Sequence, residues 1–279
     1  MTHAARLWRP VGCRLGEGPL WHIAEQRLYW TDIEGRRLWR AGLSDSAPEC
    51  LLAGETVGGF VFLANGGLRV YMDQGRVADL VQGNLTAVTT LTDETSRFND
   101  LIATPGGGVI AGTMAQSDRR GTLYHLRSDG TTLTLLTDLG CTNGLGFSPN
   151  RTRLYYIETL SRTIFTASYT VETDAIGAFE PWRETADLPG YPDGMTVDGE
   201  GALWVAFWEG SQLVQFAPDG AITAQIAVPT PRVTSAAFGG PDLRTLFITT
   251  AGGPDSPGAG DLYLVDLPVG GIPEAILPV

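Results

Sequence analysis

The sequence predicts an all-β chain folded as a six-bladed β-propeller with four-stranded antiparallel blades, a single domain over residues 1–279. Three observations predict it. A unit of apolar strands recurs from Glu17, Val57, Asn99, Asn143, Asp193 and Thr234, at spacings of 40, 42, 44, 50 and 41 residues. The hairpin turns NGG, PGGG, SPNRT, DGEG and GPDLR fall at the same offset in successive units. With 36 Gly and 17 Pro the chain is rich in turn formers, and long helical patterns are lacking; only the stretch 170–175 is ambiguous. A period of about 40–50 residues is that of a four-stranded propeller blade. A β-helix repeats at a shorter interval, and a sandwich does not repeat its turns so regularly.

The units follow one another along the chain. EGPLWHIAEQRLYWTDIEGRRLWRA starts at Glu17 and VGGFVFLANGGLRVYMDQGRVADL at Val57. NDLIATPGGGVIAGTM starts at Asn99 and continues to GTLYHLRSDG; NGLGFSPNRTRLYYIETLSRTIFTASY starts at Asn143. DGMTVDGEGALWVAFWEGSQLVQFAPDG starts at Asp193, and TSAAFGGPDLRTLFITTA starts at Thr234 and continues to GDLYLVDL. In each, a turn rich in Gly, Asp, Asn and Pro joins neighbouring antiparallel strands. The segments RLWRPVGCRL and EAILPV are expected to pair and close the ring, because closure removes exposed edges.

Composition excludes several function classes. A formal charge of −12 repels nucleic acid and anionic membranes. No apolar stretch approaches the roughly 18 residues that span a bilayer, and MTHAARLWRPVG lacks the apolar run of a signal peptide. Cys13, Cys50 and Cys141 are odd in number and lack metal-type spacing, which predicts reduced thiols in a cytoplasmic protein. His3, His22 and His125 have no His or Cys at ligand spacing, against a zinc site of that type. No GxSxG, Walker loop or CxxC occurs, and the glycines of PGGGVIAG precede no helix. Acid–base work therefore falls to carboxylates or to a metal site.

Glu17, in LGEGPLW, has no basic partner within the next few residues. The repeats supply a reason for it. The six unit starts are equivalent positions where the chain enters the innermost strand of a blade, so they gather at one mouth of the channel. Four of the six, Glu17, Asn99, Asn143 and Asp193, carry an acid or an amide. Carboxylate and amide oxygens that converge on one point suit a hard divalent cation, which removes their mutual repulsion. The alternative is that they cap strand ends and bind channel water. Arg97, two residues before Asn99, points to the same side in an extended stretch and is placed to hold a substrate oxygen; the alternative is an ion pair with Asp100 or Glu94. Asp100 is expected to face away and bond nearby backbone amides. Tyr191, Pro192 and Trp208 are candidates for a pocket wall, with core packing the alternative for the Trp.

LGEGPLW, RFND with the later AGTM, TNGLGFSP, YPDGM and VTSAAFGGPDLRTLFITTA resemble the SMP-30/gluconolactonase/luciferin-regenerating-enzyme (regucalcin) family, in order and over nearly the whole chain. The resemblance implies a six-bladed propeller with one divalent metal near the top of the channel and hydrolysis of sugar lactones. By motif match it implies Glu17, Asn143 and Asp193 as metal ligands, and Arg97 and Asn99 as substrate contacts. After AGTM the chain reads AQSDRRG, with Gln116 and Ser117 where animal members resemble one another in acidic residues. The motif set is closer to bacterial sugar lactonases.

The expected activity is metal-dependent hydrolysis of an aldonolactone, such as xylono-, arabino- or gluconolactone. The cofactor is one divalent cation (Ca²⁺, Mn²⁺, Mg²⁺, Fe²⁺ or Zn²⁺), with Asp193 also the catalytic base. The expected partner is the small-molecule lactone alone, the protein being a monomer or weak oligomer. The alternatives are an organophosphate-hydrolysing propeller and a non-enzymatic calcium-binding one.

Overall fold

The computed structural model describes residues 4–91, 97–116, 120–252 and 258–278. Six antiparallel sheets stand in a ring, each beginning at its innermost strand. Blade one runs from Gly16–His22 to Glu49–Ala53, blade two from Val57–Phe62 to Asn84–Thr90, and blade three from Phe98–Ala103 to Thr132–Leu139. Blade four runs from Thr142–Phe147 to Glu180–Glu184 and carries an additional two-residue strand, Ala175–Ile176, after a 3-10 turn at Val171–Thr173. That insertion lies in the ambiguous stretch and accounts for the longest repeat spacing. Blade five runs from Tyr191–Val197 to Ile222–Ala227. Blade six holds Val233–Gly239, Thr245–Thr250 and Leu262–Asp266, with Arg6–Arg9 from the other end of the chain as its outer strand. Among the described residues no helix is long and apolar enough to cross a membrane.

The ring closes differently from the expected pairing of RLWRPVGCRL with EAILPV. Arg6–Arg9 pairs antiparallel with Leu262–Asp266 instead. The segment EAILPV follows Pro273 and contains Pro278, neither of which can donate to a ladder. It runs as a tail under the channel: Leu277 N–H donates to Phe62 O and Leu277 O accepts from Ala64 N–H, both at 2.9 Å. Phe62 ends the innermost strand of blade two, so the tail caps the mouth opposite the unit starts.

Apolar residues fill the gaps between blades. Trp204 and Ile226 of blade five pack with Val233, Phe238, Leu246 and Tyr263 of blade six. Covered on both faces, the inner strands read as nearly continuous buried runs, such as VGGFVF and TNGLGF. Their close approach near the axis fixes Gly58, where an added Cβ would stand 1.9 Å from the Phe98 carbonyl oxygen. Gly58→Ala is expected to destabilise the protein by about 2–3 kcal/mol, read as a lower midpoint in denaturant melts; an unchanged midpoint would contradict the packing.

Candidate metal and substrate site

Side-chain alternation is broken once in every channel-lining strand. Register shifts fall between Glu17 and Leu20, Val57 and Gly59, Phe98 and Leu101, Asn143 and Leu145, Pro192 and Met195, and Val233 and Ser235. A bulge re-aims side chains at a strand end, and here it does so at the unit starts of all six blades. Glu17, Asn99, Asn143 and Asp193 are thereby brought together at one mouth while only 8%, 7%, 5% and 5% exposed. The other two starts take no polar part there: Val57 is buried in the core, and Thr234 Oγ1 donates to Gly16 O at 2.6 Å.

A chain of hydrogen bonds fixes the amides. Arg97 Nη1 donates to Phe98 O at 3.0 Å and to Asn99 Oδ1. Asn99 Nδ2 donates to Thr142 O at 2.6 Å and to Asn143 Oδ1 at 2.7 Å. Asn143 Nδ2 donates to Thr159 Oγ1, whose hydroxyl donates to Pro192 O, each at 2.8 Å. The relay crosses from blade three to blade five and ends one residue before Asp193. It uses both N–H groups of Asn99 and turns Asn143 Oδ1 away from Thr159, with a lone pair still free. Thr159 is thus a positioning residue that the repeat pattern did not mark.

Asp100 is the larger omission. The expectation that it faces away and bonds backbone amides is corrected: it lines the axial cavity, and no backbone amide among the described residues donates to it. The bulge between Phe98 and Leu101 is the cause, since it cancels the alternation that separates Asn99 from Asp100. The second polar residue of ND, standing where blades four and five have the glycine of NG and DG, was the signal available. The expected Arg97 alternatives resolve in part: Arg97 bonds Asn99 and Phe98, and Glu94, like Ser117, lies outside the described residues. Tyr191 stands 44% exposed at the rim with the Arg162 guanidinium 5.1 Å from its ring centre, and Trp208 sits under Arg232 at 5.2 Å.

Three carboxyls stand near one guanidinium, Glu17 and Asp193 buried and Asp100 and Arg97 half-buried. Burial, and then Asp100, push Glu17 up to about 8, against the pull of the Gly18 amide and Arg97. Burial, with Glu17 and Asp100, raises Asp193 well above the carboxylate range. Burial raises Asp100 to about 7, opposed by Arg97. Burial also pushes the Cys141 thiol up to about 12.

These raised values carry a sign. Between the ordinary Glu value of 4.5 and about 8, the folded state holds Glu17's proton and the unfolded state does not. The metal-free protein is therefore expected to lose stability as the pH rises through that interval. Melting temperatures of chelated protein at pH 6 and pH 8 check this, and a bound divalent cation should remove or invert the trend. An increase in the melting temperature of chelated protein over that range would contradict the burial of the cluster.

The donor chemistry fits a hard cation. Glu17 and Asp193 offer carboxylates and Asn143 an amide oxygen, from three blades that the ring holds in place. Among the described residues no three His, Cys, Asp or Glu side chains stand together at metal-ligand spacing, so the amide is needed to complete a protein triad. Beside this centre, Arg97 also lines an off-axis cavity of about 410 Å³ with Thr56, Asp73, Gln74, Met114 and Gln116.

The profile of the SMP-30/gluconolactonase/LRE-like region matches residues 15–252. The chain belongs to this family. Its SMP-30-like relatives include the pentonolactonase XacC of Haloferax volcanii, 42% identical over 95% of this chain and 94% of the relative. Another is a 6-deoxy-6-sulfogluconolactonase of Pseudomonas putida, 33% identical over 85% of this chain and 83% of the relative. Among solved structures, the calcium-binding protein regucalcin of Agrobacterium tumefaciens superposes with a TM-score of 0.92 at 25% identity, covering 100% of this chain and 99% of that one.

Proposed function

We propose that the chain is a divalent-metal-dependent sugar lactonase that opens an aldonolactone, such as xylono-, arabino- or gluconolactone, to the aldonic acid. It is a hydrolase acting on carboxylic ester bonds, as its lactonase relatives are named. The observation that carries this is the buried oxygen-donor set of Glu17, Asn143 and Asp193, set beside Arg97 and an open cavity.

A divalent cation held by Glu17, Asn143 and Asp193 would supply Lewis-acid polarisation of the lactone carbonyl. This chain's residues do the remaining work. Asp193 takes the proton of the attacking water or positions that water. The water oxygen bonds to the carbonyl carbon, the acyl C–O bond of the ring breaks, and the ring oxygen leaves as an alcohol, carrying the proton that the water gave up. Arg97, anchored through Nη1, offers its other N–H groups to the hydroxyl and carbonyl oxygens of the sugar. Asn99 holds Arg97 and Asn143 in register. The tail under the channel leaves the upper mouth as the way in.

A pH-drop assay with a panel of aldonolactones, run with each of Ca²⁺, Mn²⁺, Mg²⁺, Fe²⁺ and Zn²⁺, tests the proposal. Acid release with at least one lactone–metal pair is expected. Turnover of a fluorophosphate alone would redirect the site to organophosphate hydrolysis. Metal binding with no turnover of either class would leave a calcium-binding propeller.

A further inference from the structure

The axial cavity, of about 60 Å³, has room for a few water-sized groups only, and the C-terminal tail lies across its lower end. The off-axis cavity, at about 410 Å³, falls within the range of small-molecule pockets. A substrate held at the metal centre and at Arg97 therefore extends its remaining atoms toward blade two. The wall it meets there is a two-residue hairpin turn. Arg76 N–H donates to Asp73 O at 3.1 Å, and the central residues Gln74 and Gly75 have φ of 57° and 67°. The turn is tied to the end of the outer strand Asn84–Thr90 by Leu91 N–H donating to Gly75 O at 3.0 Å. The side chains of Asp73 and Gln74 are thus presented from a backbone that these bonds hold in place.

The charge on this wall is defined. Arg76 Nη2 is shared between Asp73 Oδ1 at 2.5 Å and Glu55 Oε2 at 2.9 Å. One cation serves two carboxylates, so the trio keeps a net negative charge. Arg97 is the one cation lining the cavity among the described residues, and it faces this acid wall. A carboxylate accepts from sugar hydroxyls, and an amide both donates and accepts. A phosphate or sulfonate in the same place meets a like charge.

We propose that Asp73 and Gln74 are specificity-determining residues: they receive the hydroxyls distal to the reacting carbonyl, and they select uncharged polyhydroxy lactones over those with an anionic tail. The assignment rests on the lactonase reading of the site and adds the part of the substrate that the turn reads.

The test compares kcat/KM for three probes: an aldonolactone, its phosphorylated-tail derivative, and an unsubstituted lactone with no hydroxyls. The wild type is expected to prefer the neutral aldonolactone over the phosphorylated one by at least about tenfold. Asp73→Asn and Gln74→Lys should each shrink that ratio about tenfold. Gln74→Gly deletes the side chain where glycine takes the positive φ freely, so it keeps the turn even if Asp73→Asn disturbs the pairing with Arg76. It should lower the ratio of aldonolactone to unsubstituted lactone. Wild-type turnover with all ratios unmoved in the variants overturns the assignment and leaves the lactonase reading standing. A wild type that opens no lactone overturns both.

Discussion

Asp193→Asn is expected to lower lactone turnover by at least about 10²-fold, the usual scale for loss of a general base, even with metal in excess. The substitution keeps the size of the side chain and one oxygen ligand. It removes the negative charge and the proton acceptor. Asp193 is 5% exposed and lies among Glu17, Asp100 and Arg97, so no outside carboxylate can replace it. Arg97→Ala should behave differently. It removes a donor to substrate, so the Michaelis constant rises. It also removes a positive charge next to the metal centre, so cation affinity should not fall. The two variants separate chemistry from positioning. Near-normal turnover by Asp193→Asn at full metal occupancy would show that Asp193 is not the base.

Chelation is expected to take activity to background, with recovery on adding back a hard divalent cation. Glu17, Asp193 and Asp100 outnumber the one guanidinium beside them and repel one another, and a divalent ion offsets the excess negative charge. Glu17→Gln should weaken cation affinity at least tenfold, the smaller end of what changes around metal ligands cost, as read by calorimetry. A thoroughly chelated enzyme that retained wild-type turnover would refute metal dependence.

The six blades were legible because each carries its own turn chemistry at one period. The long fourth repeat was legible as a length, and Ala175–Ile176 explains it. Ring closure was not. RLWR and EAILPV are both short, each has a proline beside or within it, and neither carries a pattern that names its partner strand. In the site, Glu17, Asn99, Asn143 and Asp193 were legible as convergent oxygen donors because the repeat made them equivalent. Asp100 and Thr159 were not. Asp100 depends on a bulge that strict alternation hides, and Thr159 reaches Asn143 through the fold, from the turn after the next strand of the same blade.

The six bulges divide each channel-lining strand into two segments whose side-chain parity is out of phase. Below the slip, the alternation is locked to the apolar packing between blades. Above it, in four of the six blades, an acid or an amide is presented at the mouth whatever the lower segment requires. The architecture therefore separates folding information from chemical information along a single strand. Donors at those four upper positions can be exchanged to retune cation preference or reaction without rewriting the interior, whereas a one-residue deletion at any of those four slips would restore the phase and carry a polar ligand into the wall of the blade.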